Sequence, residues 1–283
     1  MSKLFICSEP DLPSVNMRAQ LLDAGGWEEI PGDDACTLHR KEDVYIMSVP
    51  GLHIRQDRID ETAAARGIEA DTVVFMSKHA SASGDPTLTV HPIGNYNDNR
   101  LGGRERTLVP ADPPLMTDAL RLMDAYCDIP GFAVCFEVTH HGPWLDKPTF
   151  FIEIGSDERN WGDIGAACLL ARVLTEMREN DYPDVIGVGG GHYAPRFTEM
   201  ALKHKVNFGH MVPGYQLEGH DDEDILRMVG DAAAMTGTDA VYIHRNSLGK
   251  PMQRRVHDLI VGAGYEIVRS ADLDPLSPSD SNR

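Results

Sequence analysis

Strand-like and helix-like segments alternate along almost the whole chain, and nothing else in the sequence restricts the fold as much. Short apolar runs, several rich in β-branched residues, read as strands. They cover Leu4–Ser8, Val44–Val49, Thr72–Ser77, Thr87–His91, Phe132–Thr139, Thr149–Ile154, Val185–Val188, Val206–His210, Ala240–His244 and Tyr265–Val268. Between them lie segments with helical periodicity and recognisable ends. Ser14 is read as the cap of a helix to about Ala24, stopped by Gly25-Gly26. Further helices are expected over Asp57–Arg66, Pro113–Tyr126, Ile164–Glu179, Arg196–His204, Asp222–Ala234 and Met252–Val261. Strands that alternate with helices predict an α/β fold, a three-layer sandwich around a mixed, mostly parallel sheet. The chain has 283 residues, enough for one large domain or two small ones. A single α/β domain over residues 1–269 is expected. The alternative is an N-terminal subdomain to about residue 110, because the polar loop GNYNDNRLGGRERT at 94–107 is a weak boundary. Residues 270–283 are Ser/Pro/Asp-rich and read as a disordered acidic tail.

Charge narrows the function. With 44 acidic and 26 basic residues the formal net charge is −18. That excludes the usual basic nucleic-acid binder and offers nothing to an anionic membrane. Only 7 of the cationic residues are Lys, and the balance points to a salt-rich cytoplasm, hence a halophilic source. The longest apolar runs, such as FAVCF at 132–136, are strand-sized, and the N-terminal MSKLFICSEPD does not read as a signal peptide. The five cysteines are odd in number, scattered and without a CxxC pair, which reads as reduced cytoplasmic thiols.

Histidines gather at six strand ends: His79, His91, His140-His141, His192, His210 and His244. In α/β sheets ligands bind beyond the carboxyl ends of the strands, where residues distant in sequence converge. Glu153 sits between Ile152 and Ile154 in PTFFIEIGS, a costly place for a carboxylate unless it is paired, metal-bound or on an exposed face. Glu137, Thr139 and His141 alternate along one strand face, with His140 on the other unless the strand has ended. Imidazole with carboxylate is the ligand mix of catalytic zinc, which keeps one position open for water. No HExxH motif is present, so such a site must be assembled from separate segments. GxSxG is absent as well, and Cys135 reads as packed rather than nucleophilic. The GGGHYAPR segment at 189–196 places three glycines before a helix start, a shape suited to an anion or oxyanion.

HHGP at 140–143, between FEVT and FFIEIGS, resembles the archaeal and plant type of D-aminoacyl-tRNA deacylase. GGGHYAPR, FGHM at 208–211, SKHAS at 77–81 and TVHPIGN at 89–95 are similar to that family too, in family order from about residue 4 to 268. The resemblance implies hydrolysis of the ester between a D-amino acid and the tRNA 3′ end. It implies zinc, one or two per subunit, and a phosphorylase/hydrolase-like fold related to peptidyl-tRNA hydrolase. Its site would draw zinc ligands from His79, His140, His141, Glu153 and His192. Glu137 or His210 would handle a proton, with His141 and His192 also catalytic, and Gly190 and Gly191 amides would hold the oxyanion. Lys78, Arg100, Arg104 and Arg106, with Lys250, are the candidate contacts to tRNA phosphates. A cytoplasmic monomer with no DNA or membrane partner is expected. The competing readings are a zinc-dependent peptidase or amidohydrolase on a related fold and a non-catalytic tRNA-binding metalloprotein.

Overall fold

The computed structural model describes residues 1–33 and 36–277. Strands and helices are numbered here in chain order. The larger sheet holds eight strands, in the spatial order β2 (Glu28–Asp33), β3 (Cys36–Lys41), β4 (Val44–Val49), β1 (Lys3–Ser8), β5 (Thr72–Lys78), β10 (Thr149–Gly155), β6 (Thr87–Pro92) and β9 (Ala133–Phe136). Its centre, β4-β1-β5-β10, is parallel, β6 runs antiparallel to β10, and β9 is parallel to β6. A smaller, all-parallel sheet follows the order β12 (Asn207–Val212), β11 (Asp184–Val188), β13 (Ala240–Ile243), β14 (Glu266–Val268). A two-stranded ribbon joins β7 (Gly94–Asn95) to β8 (Thr107–Leu108). The expected α/β class with a mixed, mostly parallel sheet is what forms, but its strands divide between two principal sheets.

Alternation along the central strands builds two cores. Phe5, Val74, Ile152 and Ile154 face one side, against α1 (Leu12–Asp23), α3 (Pro113–Tyr126) and α5 (Ile164–Glu176). Leu4, Ile6, Phe75 and Phe151 face the other, packed with Ile59 and Ala63 of α2 (Ile59–Ala64). Each such side chain taken from water stabilises the fold by roughly 1.5–3 kcal/mol. The first core runs on through Phe197 of α6 (Pro195–Lys203), Phe208 of β12 and Tyr242 of β13. Helix α3 touches both β6 and β12, so it wedges the two sheets together. The far face of the smaller sheet is covered by α8 (Asp222–Thr236) and α9 (Lys250–Gly262). Two short helices, α4 (Glu158–Trp161) and α7 (Gly214–Leu217), complete the set. Among the described residues no helix is long and apolar enough to cross a membrane.

Several local expectations need correction. The cap of α1 is Asp11, whose carboxylate accepts the Ser14 amide, while Ser14 Oγ accepts the Ser8 amide at 2.9 Å. Helix α5 stops at Glu176 because Met177 turns to extended backbone. The β2–β3 hairpin edge has too little apolar alternation to announce itself. Residues 270–277 are not free tail: Ser270–Asp272 forms a 3-10 turn, and Asp274 and Leu276 bond the backbone at Lys205 and Lys203. The rest of the proposed tail, 278–283, lies outside the described residues. Most consequential, the strand expected over Phe132–Thr139 ends at Phe136.

Candidate active site

Past Phe136 the chain stays extended but changes partners. Glu137 donates its amide to Val90, Val138 to His192, and Thr139 to Met211 of β12. Tyr193 forms an antiparallel bridge with Glu137. Residues 137–141 therefore run through the seam between the two sheets, where side chains from both converge. His141 then takes φ +31 and Gly142 φ +102, a left-handed reversal. An alanine Cβ at Gly142 would lie 2.9 Å from Ile93. The strand having ended, His140 and His141 no longer point to opposite sides. Both rings reach His91, with centroids 4.1 and 5.1 Å away.

Sheet register supplies the remaining groups. Phe75, Phe151 and His91 lie side by side across β5, β10 and β6, and Ser77 and Glu153 form the next row on the same face. Glu153 thus points away from the core that holds Ile152 and Ile154. His79 follows β5, and His192 arrives on the glycine turn after β11. His79 Nδ1 lies 3.1 Å from Glu137 Oε1 and 3.6 Å from Glu153 Oε2. His91 Nε2 lies 3.7 Å from Glu153 Oε2. His140 Nε2 and His192 Nε2 lie 3.4 and 2.9 Å from Glu137 Oε2.

These approaches are close but not aligned as hydrogen bonds. Both oxygens of Glu137, Glu153 Oε2, His91 Nε2 and His141 Nδ1 are buried without a hydrogen-bond partner among the described residues. Proteins rarely leave buried polar atoms unsatisfied, and five such atoms meet in this one cluster, so the donor set fits a cation held between them. Among the described residues, three combinations bring ligand atoms within 4.8 Å of one another: His91/His140/His141, His79/Glu137/His192 and His91/Glu137/Glu153. Backbone carbonyls fix two of the tautomers. His140 Nδ1 donates to Val138 at 2.7 Å and His91 Nδ1 to Pro92 at 3.1 Å, which turns both Nε2 atoms inward. Burial and the neighbouring His91 push His140 and His141 well below the usual imidazole range, so both stay neutral. Burial opposes charge on His79, but Glu137 and Glu153 outweigh it and raise its pKa to about 11. Burial would likewise raise the two carboxylates. The histidines prevail, holding Glu137 well below its ordinary value and Glu153 at about 2.

Comparison with known proteins bears on the same residues. A family model described as D-aminoacyl-tRNA deacylase matches residues 66–268. A D-aminoacyl-tRNA deacylase of Methanococcoides burtonii is 37% identical over 96% of this chain, which spans 57% of that protein's length. Those of Methanosarcina acetivorans and Thermococcus kodakarensis are 32% and 34% identical, with 95% and 89% of this chain covering 92% and 94% of theirs. The chain belongs to the D-aminoacyl-tRNA deacylase family. A crystal structure titled as a conserved protein of unknown function superposes at TM-score 0.86 and 31% identity, covering 97% of this chain and 99% of the other. A uridine phosphorylase from Schistosoma mansoni overlaps 62% of the chain at TM-score 0.41.

In this family member, His79, Glu137, His140, His141, Glu153 and His192 come together as the sequence suggested. His210 does not join them. Its Nε2 donates to Val109 at 2.8 Å and its Nδ1 faces the Thr139 hydroxyl at 3.0 Å, and burial lowers its pKa to about 4. It is a neutral tie across the seam, with no free nitrogen to carry a proton. Gly190 also departs from expectation, since its amide donates to Ser247 Oγ at 2.7 Å. The exposed Gly191 takes no protein partner for its amide among the described residues. Cys135 is half-buried and desolvation pushes its thiol up to about 12, unsuited to attack. In the sequence His91 counts only as a strand-end histidine and not among the ligands, and Tyr193 was missed. Tyr193 OH lies 2.9 Å from His79 Nε2, and Ser77 Oγ lies 2.8 Å from His53 Nε2 behind the site. Strand register, invisible in one sequence, places His91.

The candidate tRNA contacts are scattered. Lys78 lies over Trp161 at 4.7 Å and Arg104 over Trp144 at 3.3 Å. Arg106 pairs with Asp224, and Arg100 faces Asp98 at 3.3 Å. Their loop does border the site: residues 94–98 and Leu101 line a hollow of about 300 Å³ with His140 and His141.

Proposed function

We propose that this chain hydrolyses the ester joining a D-amino acid to the 3′ end of tRNA, using a divalent metal, zinc, held in the histidine–glutamate cluster. One observation carries the metal: five inward-facing nitrogen and oxygen atoms of that cluster are buried without hydrogen-bond partners. The family and the names of its members support the substrate. His91, His140 and His141 suit the metal best, being three imidazoles with ligand atoms within 4.8 Å of one another. His79 and Glu153 remain ligand candidates, and His79, Glu137 and His192 together can hold a second ion. Zinc bound there supplies a Lewis acid that makes water a nucleophile near neutral pH.

The protein residues then divide the proton work. Glu137 Oε2, ionised, takes the proton given up by the attacking water. His192 is the most open member of the cluster, its side chain 40% exposed, and its Nε2 lies 2.9 Å from that oxygen. It returns the proton to the departing 3′-oxygen of the ribose. The Gly191 amide is the free donor for the developing oxyanion. His79, held between Glu137 and Tyr193, fixes the carboxylate. The proposal includes a monomer and a cytoplasmic location, and the scattered, odd cysteines speak for the location.

The decisive experiment follows loss of D-Tyr-tRNA and L-Tyr-tRNA side by side in high salt. It is run before chelation, after chelation and after zinc is restored. Loss of the D-ester alone, abolished by chelator and recovered with zinc, is expected. Equal loss of both esters would leave a general esterase. Loss of neither in folded, zinc-supplied protein would overturn the proposal.

A further inference from the structure

The basic residues of this acidic chain are not spread evenly. The stretch 242–257, YIHRNSLGKPMQRRVH, contains Arg245, Lys250, Arg254 and Arg255 and no carboxylate, in a protein with 44 acidic residues. In the fold this stretch leaves the carboxyl end of β13 and enters α9. It borders two adjoining hollows, of about 550 and about 280 Å³, that share Ile243 and Arg245. Arg196, His244 and Arg269 line the first with Glu199, and Arg254 and His257 line the second with Asp258. Arg245, Arg254 and Arg269 have no carboxylate partner for their guanidinium groups among the described residues. Arg196 is held in place, donating to Tyr242 OH at 2.9 Å and to Glu199 at 2.7 Å.

The groove is joined to the active site by the glycine turn. Ser247 accepts the Gly190 amide, and His244 Nδ1 lies 3.7 Å from where a Gly190 Cβ would stand. Two residues beyond Gly190, His192 enters the metal cluster. The groove therefore lies at the carboxyl ends of β13 and β14, next to the site, and continues to the first turns of α9. The loop arginines Arg104 and Arg106 are occupied by Trp144 and Asp224. Among the described residues, no carboxylate pairs with Arg245, Arg254 or Arg269 of the groove.

We infer that this groove binds the sugar–phosphate backbone of the tRNA acceptor arm, with Arg245, Arg254 and Arg269 on successive phosphates while the 3′ end lies in the metal cluster. The inference rests on the deacylase reading for the identity of its polyanion. A row of unpaired guanidiniums suits phosphates, which they bind bidentately and without reading sequence. Removing one arginine–phosphate pair should lower the salt dependence of binding by roughly one counterion.

The test uses uncharged tRNA as the probe, so it does not depend on catalysis. Its dissociation constant is measured from about 0.1 to about 1 M KCl for the wild type and two triple variants. One is Arg245→Gln/Arg254→Gln/Arg269→Gln. The other, Arg40→Gln/Arg58→Gln/Arg172→Gln, removes the same charge elsewhere. Melting curves confirm that both fold. The groove variant is expected to bind at least about tenfold more weakly at 0.1 M KCl, with a salt slope shallower by about two to three. The control should stay within about twofold. Equal weakening in both variants, no change in the groove variant, or no salt-dependent affinity in the wild type would overturn the inference. Deacylation is assayed in parallel. Groove-dependent binding without hydrolysis of D-Tyr-tRNA would reject the proposed activity and leave the groove. Hydrolysis with unchanged affinity in the groove variant would do the reverse.

Discussion

Glu137 has both carboxylate oxygens in the protein interior with no hydrogen-bond donor aligned on either. Imidazoles of His79, His140 and His192 surround it at 2.9–3.4 Å. Removing the most exposed of these should leave the fold intact and stop the chemistry. His192→Ala is expected to lower D-aminoacyl-tRNA hydrolysis by about 10²–10⁴-fold, with the melting temperature little changed. His141→Ala should lower it by orders of magnitude as well and reduce bound zinc, measured by atomic emission. Unchanged turnover in both would remove them from the mechanism. His210 makes the opposite case, a histidine whose effect is on stability. Its folded pKa is about 4 against an ordinary 6.5, because burial excludes the charged form. Between those values the unfolded chain binds the proton and the folded chain does not. The neutral ring's full contribution is therefore present above pH 6.5 and is lost as pH falls toward 4, by roughly 1.4 kcal/mol per unit. Urea unfolding at stepped pH should show His210→Gln with a flatter profile over that window. A slope equal to wild type would mean that His210 is not kept neutral by the fold. Motif and position marked His79, Glu137, His140, His141, Glu153 and His192, because histidines recur at several strand ends and a carboxylate such as Glu153 is costly inside an apolar strand. They were not enough to exclude His210, because a strand-end histidine bonded to Thr139 and Val109 looks the same in sequence.

Turns decide how those residues meet. The left-handed pair His141-Gly142 swings both histidines of HHGP to one side, where strict strand alternation would have split them. Gly142→Ala meets two penalties, φ +102 and a Cβ 2.9 Å from Ile93. Gly219 shares a left-handed φ of +79 but has open space around it. Gly142→Ala should therefore destabilise by about 2–4 kcal/mol and Gly219→Ala by about 1 kcal/mol. Denaturant titration of both variants checks this, and equal destabilisation would remove the steric part of the argument. The same contrast explains what was legible at this level. Parallel strands such as Thr72–Lys78 and Thr149–Gly155 are buried along their length and show as apolar runs. The early end of β9 depends on a change of partner, from β6 to residues 192–194 and β12. No local signal encodes that exchange. The glycine turn at 189–191 was likewise visible as a close approach, but its partner Ser247 lies 57 residues from Gly190.

Net charge acts on the whole molecule at once. If every one of the 26 cationic side chains neutralised a carboxylate, 18 of the 44 would still repel each other at neutral pH. Such repulsion opposes the compact state and reaches about 10 Å at 0.1 M salt but only about 3 Å at 1 M. Stability should therefore rise as KCl is increased over that range, read as the urea midpoint of unfolding. A maximum below about 0.2 M would contradict this and the halophilic reading with it. Contacts between the groove arginines and tRNA phosphates respond in the opposite sense, weakening as counterions compete. The same salt that tightens the fold should thus raise KM for charged tRNA while leaving kcat nearly constant once the protein is fully folded. Activity at low tRNA should then pass through a maximum in KCl. At saturating tRNA it should climb to a plateau. A plateau under both conditions would mean that phosphate contacts contribute little to substrate capture, and a maximum under both would mean that salt acts on the chemistry itself.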